Sequence, residues 1–284
     1  KTPDGAAAWS SAAILLNGSK NKSMSPPKTY IPGLLTVSQM GLRLSEGLTA
    51  RLLGQTGKPL CGLEYHSRPD GAGIFSTTDG GWIYTSNSEV GSGAGGAYAI
   101  RFSSDGTPVN HYPILTGTTR NCGGGATPWG TWMSGEEADG GYFWEADIYG
   151  KESPRKLTKL GTGSFESAAC DTRSNAVYLT EDTFYGPLRR FRSSSPDNPK
   201  TIFSDGILDW LLLESATGTF TWTTDKAAAQ KNAGELYPNS EGIDYRNGKL
   251  YFVSKRVKLL YILDLDSLTF QKSSTENGAF NGEP

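Results

Sequence analysis

Between Asn121 and Glu137 the chain gathers one cysteine, three consecutive glycines, two tryptophans and a pair of glutamates. The order is Asn121-Cys122-Gly123-Gly124-Gly125-Ala126-Thr127-Pro128-Trp129-Gly130-Thr131-Trp132-Met133-Ser134-Gly135-Glu136-Glu137. A thiolate and carboxylates offered together suit a metal: hard oxygens take Ca²⁺ or Fe³⁺, and sulfur completes an iron site. Glycines let a backbone turn through φ > 0 and approach a ligand, and Pro128 fixes its own φ. Thr131 to Met133 reads as a short strand delivering Glu136 and Glu137 to its end. The same residues also fit a plainer structure, a tight turn into an aromatic strand with Cys122 a small buried hydrophobe and both glutamates solvated. Convergence with carboxylates from elsewhere decides between the two readings.

The elements that would supply them read as short strands. Ala72 to Ser76, Trp82 to Ser86, Ala97 to Phe102 and Tyr112 to Leu115 form a meander broken by Asp79-Gly80-Gly81, a glycine-rich loop from Gly91 to Gly96, and Ser104-Asp105-Gly106. A second unit pairs Gly130 to Ser134 with Tyr142 to Ala146. A third runs through Ala168 to Asp171, Ala176 to Asp182, Leu188 to Phe191 and Lys200 to Phe203. Another begins with Gly242 to Tyr245, Lys249 to Ser254 and Leu259 to Asp264. Each repeats a strand, an Asp/Asn/Gly turn, an aromatic strand, and a polar residue where that strand ends, which is the self-similarity of propeller blades. The polar ends fall at Asn87 with Glu89, Glu181 with Asp182, and Ser254 with Lys255. Radial blades bring such ends to one mouth of a central channel, whereas a β-sandwich would scatter them.

An all-β propeller is therefore expected over residues 33–284, preceded by a loosely held arm over residues 1–32. Leu42 to Leu44 and Leu48 to Leu53 alternate as a hairpin would, and Ile207 to Leu213 and Asp225 to Gln230 read as short helical inserts. A further strand set is expected beyond Pro284, because an open propeller leaves unpaired edges.

Composition excludes several functions. The 284 residues hold 36 glycines and 15 prolines with 11% aromatics, which matches many short strands joined by tight turns. A formal charge of −2 and a pI near 5.8, without a Lys/Arg block, give no footprint for nucleic acid. No apolar run approaches the roughly 20 residues that a bilayer span needs. The sequons at Asn17 and Asn21 give weak support to export. Three cysteines, Cys61, Cys122 and Cys170, cannot all pair among themselves. No Gly-x-Ser-x-Gly elbow supports a Ser-His-Asp hydrolase, and Cys122 lacks a partner for cysteine-protease chemistry. The two histidines, His66 and His111, read as a loop residue and a strand neighbour. Trp129 and Trp132 are expected to pack between blades.

The Cys-Gly-Gly turn running into Thr127-Pro128-Trp129-Gly130-Thr131-Trp132 and then Glu136-Glu137 resembles the signature of the PhoX-type alkaline phosphatase family. The likeness continues in Trp82 to Glu89, Glu166-Ser167-Ala168, Tyr178 to Asp182 and Pro238 to Gly242, so it spans most of the chain from about Leu42. That resemblance implies a six-bladed, exported propeller, secreted or extracellular, that hydrolyses small phosphate esters at an Fe³⁺ and Ca²⁺ cluster. It further implies Cys122 as the iron-ligating thiolate and Glu137, Glu181 and Glu241 as metal carboxylates, with Glu137 and Glu241 the catalytic pair. Glu136, Glu89 and Asp182 would be further calcium ligands.

Three positions depart from the family pattern. Gly135 stands where a second cysteine is common, Phe165 where bacterial members carry histidine, and Asn239 where an arginine could grip phosphate bidentately. Those departures fit a divergent, eukaryotic branch. They keep open a propeller that binds calcium only to hold its blades, or a lactonase-like calcium hydrolase.

Overall fold

Alternating burial along short segments builds an almost entirely β protein. The computed structural model describes residue 44, residues 48–195 and residues 197–276. The expected arm, both sequons and the C-terminal residues lie outside that range. A small hairpin, β1 (Pro59–Leu60) and β2 (Leu63–Glu64), leads into a four-stranded antiparallel meander of β3 (Pro69–Ser76), β4 (Trp82–Ser88), β5 (Gly95–Phe102) and β6 (Pro108–Thr118). A second blade follows as β7 (Asn121–Ala126), β8 (Thr131–Gly141), β9 (Phe143–Asp147) and β10 (Arg155–Lys156). The third is β11 (Gly163–Asp171), β12 (Ala176–Glu181), β13 (Arg189–Ser193) and β14 (Gly206–Glu214), extended by β15 (Thr219–Thr223). After helix α1 (Lys226–Leu236), the fourth comprises β16 (Ser240–Arg246), β17 (Lys249–Ser254), β18 (Leu259–Asp264) and β19 (Thr269–Ser274).

The fold is a β-propeller arrangement in which the first strand of each blade faces the centre. β3 lies against β7, β7 against β11, and β11 against β16. Separate apolar clusters fill the gaps between blades. Ile83, Ala97, Leu115 and Trp132 sit between the first and second. Met133, Phe143, Phe165, Leu179 and Phe191 join the second to the third, and Tyr178, Leu211, Phe252 and Tyr261 the third to the fourth. Blades two to four form one hydrogen-bonded sheet, because β8 pairs β11 and β15 bridges β14 and β19.

Several sequence expectations are corrected. Ile207 to Leu213 is strand β14 and not a helix: Asp209, Leu211 and Leu213 are buried with period two, and a short apolar run does not by itself separate strand from helix. Lys200 to Phe203 is a turn, so β14 takes the place of the fourth strand. Leu48 to Leu53 forms no strand. The Asp225 to Gln230 insert is a helix, α1, longer than expected. Asp225 caps it by accepting from the Ala228 amide at 3.1 Å, and buried Ala229 and Ala233 face β14.

His66 lies in the loop between β2 and β3 and His111 in β6, as read from the sequence, and both are buried. His66 is 6% exposed, its ring parallel to Tyr98 at 4.6 Å and tilted on Tyr65 at 4.5 Å, with His111 6.4 Å away. Its Nε2 meets Ser86 Oγ at 3.1 Å, while its Nδ1 has no hydrogen-bond partner among the described residues. Burial, and then the neighbouring His111, lower the His66 pKa to about 4. The unfolded chain takes up this proton near pH 6.5, so the stability present above that pH is lost as pH falls from 6.5 toward 4. The loss amounts to about 3 kcal/mol. Thermal melts across this window should show a shallower acid dependence for His66→Gln than for the native chain. Equal slopes would contradict this account.

Candidate metal centre

Every inner strand breaks its register at the same place. Pairing skips two residues between Pro69 and Ala72 on β3, Asn121 and Gly124 on β7, Phe165 and Ala168 on β11, and Ser240 and Ile243 on β16. A bulge re-aims the side chains it releases from the ladder. The first released residue is in turn Asp70, Cys122, Glu166 and Glu241. Asp70, Cys122 and Glu166 bring one ligand atom each to within 4.8 Å of one another, and Glu241 is close enough to raise the pKa of Glu166.

The second released residue is Gly71, Gly123, Ser167 or Gly242, and at Gly71 and Gly123 its smallness has a steric cause. A Cβ on Gly71 would stand 2.7 Å from the Cys122 carbonyl oxygen, and one on Gly123 would overlap the Glu166 carbonyl. Gly124 and Gly125 likewise abut Met133 and Ala168. All three glycines of the motif lie in strand β7 at ordinary φ, so the expected turn is a strand, and its glycines serve close packing. Asn87, wholly buried, fixes the first two blades at this level. Its Nδ2 donates to the Cys122 and Gly123 carbonyls at 2.8 and 2.7 Å, and its Oδ1 accepts from Trp132 Nε1 and Ser134 Oγ at 2.9 and 2.8 Å. Between the third and fourth blades Thr180 Oγ1 donates to the Glu241 carbonyl at 2.6 Å.

A second tier comes from the second strands. The residues paired just before each bulge are Ser88, Glu136, Glu181 and Ser254, and the next residue along each strand is Glu89, Glu137, Asp182 or Lys255. Arg120 bridges the first two, with Nη2 at 3.2 Å from Glu89 and 2.7 Å from Glu137. Lys255 Nζ lies 2.6 Å from Asp182 and 2.5 Å from Glu241.

Six carboxylates (Asp70, Glu89, Glu137, Glu166, Asp182 and Glu241) therefore share two cations, which leaves an excess of about four negative charges if all ionise. The protein relieves it by holding protons. Burial, then Glu241, pushes Glu166 up to about 8, and burial also raises Asp70, Glu137 and Glu241. The Cys122 thiol is driven far above its usual range by burial and by Glu166. None of Asp70, Cys122 and Glu166 has an ion pair among the described residues. A thiol and two carboxylates with surplus negative charge fit a multivalent cation.

Of the residues singled out from sequence, Cys122, Glu137, Glu89, Asp182 and Glu241 converge on this mouth. Two point to other work. Glu136 spends both oxygens on the Thr119 and Tyr142 amides and Trp144 Nε1. Glu181 is buried against Arg189 at 2.5 Å, and the same guanidinium also donates to the Leu160 and Thr162 carbonyls. Asp70 and Glu166 went unassigned. The signal that finds them is the repeated acid-plus-small pair, Asp70-Gly71, Glu166-Ser167 and Glu241-Gly242, aligned with Cys122-Gly123. Asn239, at φ 54°, donates to Asp182 at 2.8 Å. Cys61 and Cys170 are both free.

Fold and site together define a β-propeller with a thiol and carboxylate cluster at one mouth. Residues 83–150, which carry Glu89, Cys122 and Glu137, match the family described as alkaline phosphatase PhoX. Pseudomonas fluorescens PhoX in complex with vanadate, a transition state analogue, is similar in structure at a TM-score of 0.58 and 13% identity, covering 78% of this chain and 70% of that one. At that identity the likeness establishes the fold. Virginiamycin B lyase from Staphylococcus aureus aligns at a TM-score of 0.42 and 13% identity (76% and 72% covered), and a nidogen/laminin complex at 0.39 and 13% (73% and 80% covered). No curated protein sequence matches the chain. Among the described residues, no helix is long and apolar enough to cross a membrane.

The packing argument separates two glycines at equivalent positions. Gly123→Ala should cost about 3 kcal/mol or more, because the nearest group a Cβ would meet, the Glu166 carbonyl, is backbone and cannot swing aside. Gly242, at ordinary φ with open space where a Cβ would go, should tolerate alanine with a change within about 1 kcal/mol. Denaturant midpoints of the two variants test this, and equal losses would refute it.

Proposed function

We propose that this protein is an alkaline-phosphatase-like hydrolase, cleaving small phosphate esters at the channel mouth with metal held by Asp70, Cys122 and Glu166. The observation that carries the reading is the convergence of the half-buried Cys122 thiol, which lies in the PhoX-matching residues 83–150, with the carboxylates of Asp70 and Glu166, none of them in an ion pair among the described residues. Iron as Fe³⁺ suits the thiolate and oxygens together, and Ca²⁺ suits the all-oxygen side toward Glu137 and Glu89. Such ions, when bound, supply positive charge to a phosphoryl group and activate an oxygen nucleophile.

The chain's own groups have definite tasks in this reading. Cys122 hydrogen-bonds Glu166, whose raised pKa lets it hold a proton near neutral pH and give it up when a cation arrives. Arg120 keeps Glu89 and Glu137 at one spacing, and its half-exposed guanidinium stands at the rim where a phosphate would enter. Glu137, paired to Arg120, would orient an attacking oxygen, while Glu241 adds to the negative field around Glu166.

One observation favours a second reading, a non-catalytic propeller that calcium stabilises. Asn239 stands where the family pattern calls for a phosphate-gripping arginine, and its side chain is a strut on Asp182. Metal content decides between them. Elemental analysis of the purified protein should find iron, and Cys122→Ser should remove it and lower p-nitrophenyl phosphate hydrolysis at least about 100-fold. Calcium alone, unchanged in the variant and without turnover, would sink the hydrolase and leave the binding propeller.

A further inference from the structure

The register of the four inner bulges aligns the second strands residue for residue, and one position breaks the pattern. Where three blades present Glu89, Glu137 and Asp182, the fourth presents Lys255. The ammonium does not turn away to solvent. It sits 2.6 Å from Asp182 Oδ2 and 2.5 Å from Glu241 Oε1, oxygens supplied by two different blades, and the other Asp182 oxygen is held by Asn239 at 2.8 Å. An arrangement of carboxylates from adjacent blades around one positive centre is what a divalent ion would organise at this mouth. Here the positive centre is covalently attached.

We propose that Lys255 is a tethered cation standing in for a divalent ion between the third and fourth blades, so that metal binding at the mouth is confined to the Asp70–Cys122–Glu166 side. This rests on the metal-binding reading of that side. The argument is one of charge and reach. Asp182 is 10% and Glu241 22% exposed in their side chains, so two carboxylates held this close need a compensating charge. A lysine stem is long enough to bring it from the β17 end. A single fixed charge needs no dehydration of a bound ion and cannot be removed by a chelator. Its cost is permanence: Asp182 and Glu241 are committed to it and are not available as ligands to a metal bound across the channel. An ordinary surface ion pair predicts something different, since removing its cation would leave no ion-binding site behind.

Calcium is the probe. Full-length native protein, Lys255→Met, Lys255→Glu and Lys255→Arg are stripped with chelator, titrated calorimetrically with CaCl₂ to about 10 mM, and melted with and without it. Lys255→Met and Lys255→Glu should each bind one more Ca²⁺ per chain than the native protein and gain at least about 3 °C more from Ca²⁺. Lys255→Arg should keep the native stoichiometry, and adding Asp182→Asn to Lys255→Met should abolish the extra ion. Unchanged stoichiometry in Lys255→Met overturns the proposal, as does an extra ion that survives Asp182→Asn. Should Lys255→Glu not fold, Lys255→Met decides. Failure of the metal-binding reading is seen separately, as a native stoichiometry that Cys122→Ser leaves unchanged.

Discussion

Four strands from four blades can aim side chains at one point only if their backbones nearly touch, and that close approach is the constraint on which this mouth depends. It is met by a bulge in each inner strand and a small residue beside each aimed group. Gly71 rests on the Cys122 carbonyl and Gly123 on that of Glu166, so the spacing between candidate ligands is set by main-chain contact. Main-chain contact cannot relax as a flexible side chain can. Asn87 then grips the Cys122 carbonyl that Gly71 touches, and Thr180 holds the carbonyl of Glu241, converting proximity into fixed distance.

Electrostatics follows from that geometry. Groups held so near one another, with limited access to water, cannot all be charged, and the protein distributes the penalty in two ways. Arg120 and Lys255 neutralise the outer carboxylates, while Glu166 and Cys122, deeper and unpaired, keep protons. The division between neutralised and protonated groups marks where an added cation would be most strongly favoured.

Much of this was legible in the residues. Alternation and turn chemistry identified the strands of the first blade and the second strands of the others, and of the polar residues ending those strands Glu89, Asp182 and Lys255 come to one mouth while Asn87, Glu181 and Ser254 are buried in contacts of their own. The glycines of the Cys122 motif read as turn formers and act as spacers in a strand. A three-residue glycine run has no side chains to alternate, so periodicity could not report β7. The Ile207 to Leu213 run is apolar at nearly every position and was ambiguous in period for the opposite reason. Asp70 and Glu166 were hidden because a bulge is a property of pairing between strands and leaves no local periodic trace. Glu181 and Glu136 read as ligands only until the positions of Arg189, Thr119 and Trp144 were known.

The sheet connectivity carries a consequence for how this molecule comes apart. Blades two to four share one continuous ladder, whereas the first blade is a separate sheet, joined to the rest chiefly by side chains and by Asn87. Such a joint divides the chain into two cooperative units of unequal size, the smaller able to open while the larger stays folded. Asp70 and Glu89 belong to the smaller unit and Cys122, Glu137 and Glu166 to the larger. The cluster therefore straddles the seam, and any ion bound across it would act as a clasp, slowing amide exchange throughout the first blade at sites far from the ion itself.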